Sequence, residues 1–354
     1  MEQTNFQKVA HFINKMIEED HIPGAVVGVT TAEKTLYKQA FGYAHFDKKI
    51  KMTEKTIFDL ASLTKVTATL PSILQFLDGG VLDIDDQISY YIPQFKINHS
   101  DLTLRHLLTH TSGFQPEIKF HLNNVSKEEA IDMIAQIQDK KSPGTEVIYS
   151  DLNYILLGKI IESLADISLA SYTDISIFKP VGMKDTYFNP PKNEKERIAA
   201  TEFIETENDY RWGEVHDENT LHFGGVSGHA GLFSTLEDLT LYARMILNSG
   251  VSNDKRILSS QSINLSSVSY TKGLKLNRGL GWELYDSPSF SGQFLQDGFG
   301  HTGFTGTSIW FSKKNNYSII LLTNRVHFGR DKNISRMRRI IHNLIALEMN
   351  GVTK

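Results

Sequence analysis

The sequence predicts an α+β fold in which one antiparallel sheet is built from both ends of the chain. Strand-like runs rich in β-branched and aromatic residues occur at 25–30 and 35–43 and return only near the C-terminal end. Between them, short helical patterns and loops predominate. We therefore expect a sheet domain formed by residues 1–60 and 271–354, an inserted, mainly helical domain formed by residues 61–270, and a functional site between the two.

Each element is predicted from its local pattern. A first helix is expected over 6–19, because apolar residues recur there at helical spacing until Pro23-Gly24. A helix that begins at Ser62 is expected to end at Gly79-Gly80. The other helices are predicted over 101–108, 127–138, 152–164, 234–246 and 334–349. The C-terminal strands are predicted over 281–284, 301–304, 308–311 and 317–323.

The composition is that of an ordinary globular protein. The chain has 354 residues, 40% of them hydrophobic and 22% charged, and a formal net charge of −4, so its charge does not favour nucleic acid or an anionic membrane surface. It contains no cysteine, which removes disulfides, thiolate catalysis and cysteine-bound metals. No export signal and no apolar run of about 18 residues is recognisable, so a cytoplasmic protein without a membrane span is expected. No pattern predicts the oligomeric state.

The stretch 58–69 carries a serine and a lysine three residues apart at the start of a predicted helix. Positions i and i+3 share one helix face, so Ser62 Oγ and Lys65 Nζ can meet. A serine hydroxyl becomes a good nucleophile when a neighbouring base takes its proton, and a lysine in a desolvated site can be that base. The same spacing occurs at Ser269 and Lys272, but no apolar helical pattern follows there. We therefore assign the chemistry to the first pair.

A second candidate group follows the turn at Pro143-Gly144. Tyr149 and Asp151 stand between a short strand-like piece and a predicted helix, at a corner that we expect to be exposed. A tyrosine beside a cationic lysine can act as a proton shuttle. An exposed tyrosine before a helix is common, so Tyr149 becomes a candidate only together with the other groups.

A third stretch, 298–307, is rich in glycine. Gly298, Gly300 and Gly303 have the spacing of a dinucleotide-binding loop, but β-branched and aromatic residues follow instead of a helix, so neither a nucleotide nor any other cofactor is predicted. We interpret the stretch as a glycine-lined strand, where missing side chains let a substrate lie against the backbone.

Together the three stretches resemble the serine β-lactamase and penicillin-binding-protein superfamily, in the branch of class C β-lactamases, DD-peptidases and related esterases and amidases. This chain keeps the order of that family's motifs, which is Ser-x-x-Lys, then Tyr-x-Asn or Tyr-x-Asp, then Lys/His-Thr-Gly. The matching residues are Ser62 and Lys65, Tyr149 and Asp151, and His301, Thr302 and Gly303. Further similarity through 79–86, 107–113, 228–235 and 321–325 extends the resemblance to roughly residues 6–347.

The resemblance implies a β-lactamase/transpeptidase-like fold and a metal-free serine hydrolase. Ser62 would attack a carbonyl and form an acyl-enzyme, with Lys65 and Tyr149 sharing the proton transfers. The backbone N–H groups of Ser62 and Phe304 would form the oxyanion hole, and water would release the acyl group. Asp151, His301, Thr302 and Gly303 would contact the substrate.

Two residues depart from the pattern of the β-lactamases. Asp151 stands where asparagine is usual, which removes an amide donor and adds a negative charge. His301 replaces the lysine that helps to hold the substrate carboxylate, and a neutral imidazole recognises a carboxylate less well than an ammonium. We therefore expect a small ester or amide as substrate, with cell-wall-derived muropeptides as a natural candidate. The alternatives are a penicillin-binding DD-carboxypeptidase or weak β-lactamase and, in another class, a catalytically silent binding or scaffold protein.

The histidines do not predict a metal site. His216, His222 and His229 are spaced by six and seven residues, which does not fit one helix face, so no zinc site is expected. The segment 214–219 resembles part of the peptidoglycan-related amidases and carboxypeptidases of the superfamily, which implies that His216 lines the substrate cleft. His110 is expected to hold a loop by hydrogen bonds.

Overall fold

The computed structural model describes residues 6–138 and 140–349, which contain the following strands and helices. The strands are β1 Gly24–Thr31, β2 Thr35–His45, β3 Ile50–Lys51, β4 Phe58–Asp59, β5 Tyr187–Phe188, β6 Phe203–Ile204, β7 Asp209–Tyr210, β8 Leu232–Ser234, β9 Val251–Ser252, β10 Lys255–Arg256, β11 Glu283–Leu284, β12 Gly298–Thr302, β13 Ser308–Ser312 and β14 Tyr317–Thr323. The helices are α1 Gln7–Glu18, α2 Leu70–Asp78, α3 Leu104–Leu108, α4 Lys127–Ala135, α5 Asp151–Ala165, α6 Leu169–Thr173, α7 Lys179–Val181, α8 Glu218–His222, α9 Leu236–Leu247, α10 Ser260–Ser266 and α11 Ser335–Met349.

The main sheet joins the two ends of the chain. Its strand order is β11-β12-β13-β14-β1-β2-β3, and neighbouring strands are antiparallel. The pairing of β1 with β14 runs from Ala25 opposite Thr323 to Thr31 opposite Tyr317. The predicted α+β class, with an antiparallel sheet assembled from both termini, is confirmed. The domain boundaries at residues 60 and 271 remain a prediction.

The sheet is covered on both faces, so β1 is apolar on both sides. Val27 and Val29 face a core shared with α1 and α11, whereas Val26 belongs to the core of the helical region. Each fully buried valine contributes about 1.5–3 kcal/mol of hydrophobic stabilisation. A Cβ on Gly28 would lie 2.6 Å from a methyl group of Leu236, so this glycine allows α9 to pack directly on the strand.

The segment after Ser62 differs from the single helix that we predict. A 3-10 turn, Ala61–Leu63, leads into a π-helical turn, Lys65–Thr69, and the regular helix α2 begins only at Leu70. Pro71 has no N–H group to donate to the preceding turn, and an interrupted hydrogen-bond ladder favours such a wider turn. The π turn lies at the functional site, where wide turns are often found.

Several predicted boundaries are also wrong by a few residues. The strand expected at 301–304 is β12, which begins at Gly298 and ends at Thr302, and Phe304 lies in the turn that follows. The short β11 pairs with the outer side of β12, so β12 is not the edge of the main sheet. α9 begins at Leu236 because Thr235 is its N-cap and accepts a hydrogen bond from the Asp238 N–H. Across the described ranges, no helix has both the length and the apolar character needed to span a bilayer.

Candidate active site

Ser62 lies in a turn with an unusual backbone. Ala61, directly before it, has φ of +46°, a left-handed conformation that is uncommon for residues other than glycine. The buried carboxylate of Asp59 stabilises this turn, because it accepts hydrogen bonds from the Ala61 N–H at 2.8 Å and from the His216 N–H at 2.6 Å. Burial raises the pKa of Asp59, and these two donors only partly oppose it. The turn directs Ser62 into a cleft of about 480 Å³.

Lys65 is fully buried beneath Ser62. Its Nζ donates hydrogen bonds to Ser62 Oγ at 2.9 Å, to Asp151 Oδ1 at 2.7 Å and to the His229 carbonyl at 3.1 Å. The rings of Tyr149 and Tyr154 flank it, with centroids 4.9 and 5.5 Å from Nζ. Burial lowers the pKa of Lys65, but the Asp151 carboxylate and Tyr149 outweigh burial and raise it above its ordinary value.

Tyr149 is placed by aromatic packing at the wall of the same cleft. Its ring stacks on the buried ring of His110, with centroids 4.4 Å apart, and lies 5.9 Å from the ring of His301. His110 Nδ1 accepts a hydrogen bond from the Ser150 N–H at 3.1 Å, so this histidine holds the start of α5 as well as the tyrosine ring. Burial lowers the pKa of His110 well below its ordinary value, with Arg278 and Lys65 acting in the same direction. His110 is therefore a neutral support.

Two threonine hydroxyls tie the turn after β12 to the Ser62 segment. Thr305 Oγ1 donates to the Asp59 carbonyl at 2.7 Å, and Thr307 Oγ1 donates to the Leu60 carbonyl at 2.9 Å. A Cβ on Gly303 would lie 2.4 Å from the same Leu60 carbonyl oxygen, so glycine is required at this close approach. The residues whose N–H groups we predict to form an oxyanion hole, Ser62 and Phe304, are thereby brought to one cleft.

His301 lies in the cleft as a neutral side chain. It is 3% exposed, and its Nδ1 is 2.8 Å from the carbonyl oxygen of Thr302. Burial lowers the pKa of His301 well below its ordinary value, and the positive charges of Arg278 and Lys65 lower it further. His301 therefore supplies no positive charge for a substrate carboxylate at neutral pH.

Arg278, which our sequence reasoning does not single out, supplies a cation beside His301. It is 6% exposed and lines the cleft, with its guanidinium 5.5 Å from the centre of the Tyr149 ring. Its Nε and Nη1 have no hydrogen-bond partner, and its closest carboxylate, Glu283, lies 3.8 Å from Nη2. In the sequence, Arg278 is an arginine in a polar loop before Trp282. No motif or residue spacing there indicates a role in binding.

The other arginines that line the cleft are already engaged. Arg338 donates to the carbonyls of Gly303 and Thr307 at 3.2 and 3.1 Å. Arg330 pairs with the carboxylates of Glu202 and Glu218. Arg325 donates to the carbonyls of Arg330 and Lys332 at 2.9 and 2.6 Å. Among the described arginines that line the cleft, Arg278 is thus the one without a side-chain hydrogen bond, and Arg338 Nε also lacks a partner.

His216 lies at the cleft wall, as the family segment implies. Its Nε2 is 2.9 Å from Glu202, and its ring stacks on the half-exposed ring of Phe304 at 5.6 Å. His222, by contrast, interacts with the Val125 carbonyl at 2.9 Å, away from the cleft lining. The predicted site residues from all three motifs are therefore brought together, and Ser269 instead donates to Asn277.

Within the described ranges, Asp151, Asp217 and His229 are the residues that could hold a metal ion. Their candidate ligand atoms all lie within 4.8 Å of one another. Each is already engaged, because Asp151 pairs with Lys65 and His229 Nε2 is 3.0 Å from Asp217. A divalent cation between them would be repelled by the Lys65 ammonium. These three side chains are therefore better explained as partners in internal hydrogen bonds and ion pairs than as metal ligands.

The fold and the site define a serine hydrolase, and comparison with known proteins gives its family. A family model described as "Beta-lactamase" matches residues 9–343, so the chain belongs to that family. Curated relatives include a "Putative D-alanyl-D-alanine carboxypeptidase" of Escherichia coli K12, 32% identical over 82% of this chain and 76% of the relative. A protein of the same description from Salmonella typhi is 33% identical, with the same coverage of each chain. The predicted family, fold class and serine hydrolase activity are confirmed.

Solved structures show the same fold. A penicillin-binding protein homologue from Pyrococcus abyssi aligns with a TM-score of 0.77 at 24% identity, over 96% of this chain and 77% of that one. A class C β-lactamase aligns with a TM-score of 0.80 at 20% identity, over 98% and 97%. The hydrolase EstCE1, described as having promiscuous acyltransferase activity, aligns with a TM-score of 0.78 at 21% identity, over 96% and 98%.

Proposed function

We propose that this serine hydrolase is a carboxypeptidase that removes the terminal residue of a short peptide ending in D-Ala-D-Ala. The observation that carries the proposal is Arg278, which lines the cleft and whose buried guanidinium has two nitrogens without a hydrogen-bond partner. A buried cation without a close counterion is unfavourable in the free protein and favours binding of an anion. The names of the curated relatives point to the same substrate class.

The terminal carboxylate is what distinguishes this substrate from a simple ester. Our expectation of an ester or amide rests on Asp151 in place of asparagine and on the absence of a lysine at position 301. Arg278 compensates for the absent lysine, because a guanidinium presents a fork of donors that matches a carboxylate. Glu283 beside it lies 3.8 Å from Nη2, beyond hydrogen-bond distance, and burial raises its pKa in spite of Arg278 and Arg338.

The reaction is derived from the positions of three side chains. Ser62 Oγ attacks the scissile carbonyl carbon, while its proton passes to the pair formed by Lys65 and Tyr149. The N–H groups of Ser62 and Phe304 stabilise the resulting oxyanion, and one such donor contributes roughly 3 kcal/mol. The pair then protonates the leaving amine as the C–N bond breaks. Water attacks the acyl-enzyme in a second round of the same transfers and releases the shortened peptide.

The test compares substrates that differ only at the carboxyl end. An N-acylated peptide ending in D-Ala-D-Ala is offered as the free acid and as the C-terminal amide, and released D-alanine or D-alanine amide is measured by mass spectrometry. The wild type is expected to cleave the free acid with a kcat/KM at least about tenfold higher. Ser62→Ala, the matched control, is expected to cleave neither. Equal cleavage of the two peptides would reject carboxylate recognition.

Two further probes separate the alternatives. p-Nitrophenyl acetate and the chromogenic cephalosporin nitrocefin are tested with the same two proteins. Turnover of the ester by the wild type but of neither peptide would favour the esterase hypothesis. Absence of every Ser62-dependent reaction would favour a silent binding protein.

A further inference from the structure

The partner of Asp151 is Lys65. Asp151 is the first residue of α5, and its Oδ1 lies 2.7 Å from Lys65 Nζ. The lysine side chain is fully buried, whereas that of Asp151 is 26% exposed. A buried ammonium needs hydrogen bonds and a counter-charge to replace water. Asp151 provides both in one contact.

The other groups around Lys65 do not provide a comparable charge. Ser62 Oγ and the His229 carbonyl are neutral acceptors at 2.9 and 3.1 Å. The rings of Tyr149 and Tyr154 have their centroids 4.9 and 5.5 Å from Lys65 Nζ. The remaining titratable or charged groups that line this part of the cleft or act on Lys65 are His110, His301, Arg278, Asp217 and His229. Among the described residues, Asp217 pairs with His229, so Asp151 is the carboxylate in contact with the ammonium.

We propose that Asp151 is a positioning residue whose carboxylate keeps Lys65 protonated and directed at Ser62, so that acylation reaches its full rate only at alkaline pH. The inference rests on the proposed function, in which Lys65 and Tyr149 together accept the Ser62 proton. It assigns to Asp151 a role different from the substrate contact that the family pattern implies.

The proton balance explains the dependence on pH. When Lys65 is an ammonium and Tyr149 is a hydroxyl, neither side chain can accept another proton. The pair must release one proton to solvent before it can take the Ser62 proton while the Oγ–C bond forms. That proton is later given to the leaving group as the scissile bond breaks. The pH at which the pair loses its first proton therefore sets the acid limb of the rate profile.

The direction of the shift follows from the contacts. Burial lowers the pKa of Lys65, and Asp151 is the largest influence that raises it. A raised pKa means that the lysine keeps its proton to a higher pH. In Asp151→Asn the carboxylate is lost while burial remains, so the lysine should lose its proton at a lower pH.

The direct test observes Lys65 without any substrate. Protein labelled with ¹³C at the lysine ε-carbon is titrated by NMR in the Ser62→Ala background, and the Lys65 signal is assigned by its loss in Lys65→Met. Adding Asp151→Asn is expected to lower the midpoint by about 1–3 pH units. An unchanged midpoint would overturn the proposal. If Asp151→Asn does not fold, Asp151→Ser, which also starts a helix without the charge, is titrated in its place with the same expectation.

The kinetic test records kcat/KM against pH for hydrolysis that Ser62→Ala abolishes. The acid limb is expected to move to lower pH by a similar amount in Asp151→Asn and to stay near its wild-type position in Asp151→Glu. Glu117→Gln, which removes an exposed carboxylate at the cleft rim, should leave the profile unchanged. A raised KM with an unmoved limb would make Asp151 a substrate contact and overturn the proposal. Turnover that survives in Ser62→Ala would instead reject the proposed function.

Discussion

The change Arg278→Gln should weaken the enzyme only towards substrates that end in a carboxylate. Arg278 lines the cleft and is 6% exposed, and its Nε and Nη1 are buried without a hydrogen-bond partner. Each hydrogen bond between charged groups is worth about 1.5–3 kcal/mol, so losing one such contact should remove about 1.5–3 kcal/mol of binding. This corresponds to a fall of about 10- to 10²-fold in kcat/KM.

The assay measures release of D-alanine from a peptide ending in D-Ala-D-Ala, with p-nitrophenyl acetate as the substrate without a carboxylate. Arg278→Gln is expected to lose activity on the peptide and to hydrolyse the ester within about threefold of the wild-type rate. Arg278→Lys keeps the charge but not the planar fork, so its loss should be intermediate. An equal loss on both substrates would mean that Arg278 supports Tyr149 or the fold, and would refute carboxylate recognition.

Three further changes test other parts of the site. Lys65→Ala should lower kcat by about 10²- to 10⁴-fold with little change in KM, and a normal kcat would show that Lys65 takes no part in proton transfer. Gly303→Ala places a Cβ 2.4 Å from the Leu60 carbonyl oxygen and should lower kcat by about 10²- to 10³-fold; circular dichroism checks the fold, and full activity would contradict the close approach. Partial burial raises the pKa of Asp217, but His229 and the Thr220 N–H outweigh burial and lower it. Asp217→Asn should therefore reduce the free energy of unfolding at pH 7 by about 1.5–3 kcal/mol. The difference from the wild type should shrink as pH falls below about 4, and a constant difference in denaturant titrations would contradict this.

The sequence predicts the contact of Ser62 with Lys65 because helical spacing is local. Any helical turn brings positions 62 and 65 to one face, and the 3-10 and π turns observed there keep that property. The sheet from both termini is also predictable, since the strands are marked by β-branched runs. What local pattern does not give is the residue at which the regular helix α2 begins, which depends on Pro71 and on the π turn that contains Lys65.

Interactions between charged groups that are far apart in the chain could not be predicted from the sequence. Nothing adjacent to Arg278 indicates that it meets Tyr149 across the fold, and its burial is visible only in three dimensions. The partner of Asp151 is likewise 86 residues distant in the chain. The neutral state of His301 depends on burial and on the charges of Arg278 and Lys65, so its residue type alone does not define its role.

The most direct test of the central claim is to find the residue that carries the acyl group. The protein is incubated with a fluorescent penicillin or a slow ester, digested, and analysed by tandem mass spectrometry. We predict one acyl adduct on the peptide containing Ser62, and none in Ser62→Ala at the same protein concentration. An adduct at another residue, or equal labelling of Ser62→Ala, would contradict the mechanism.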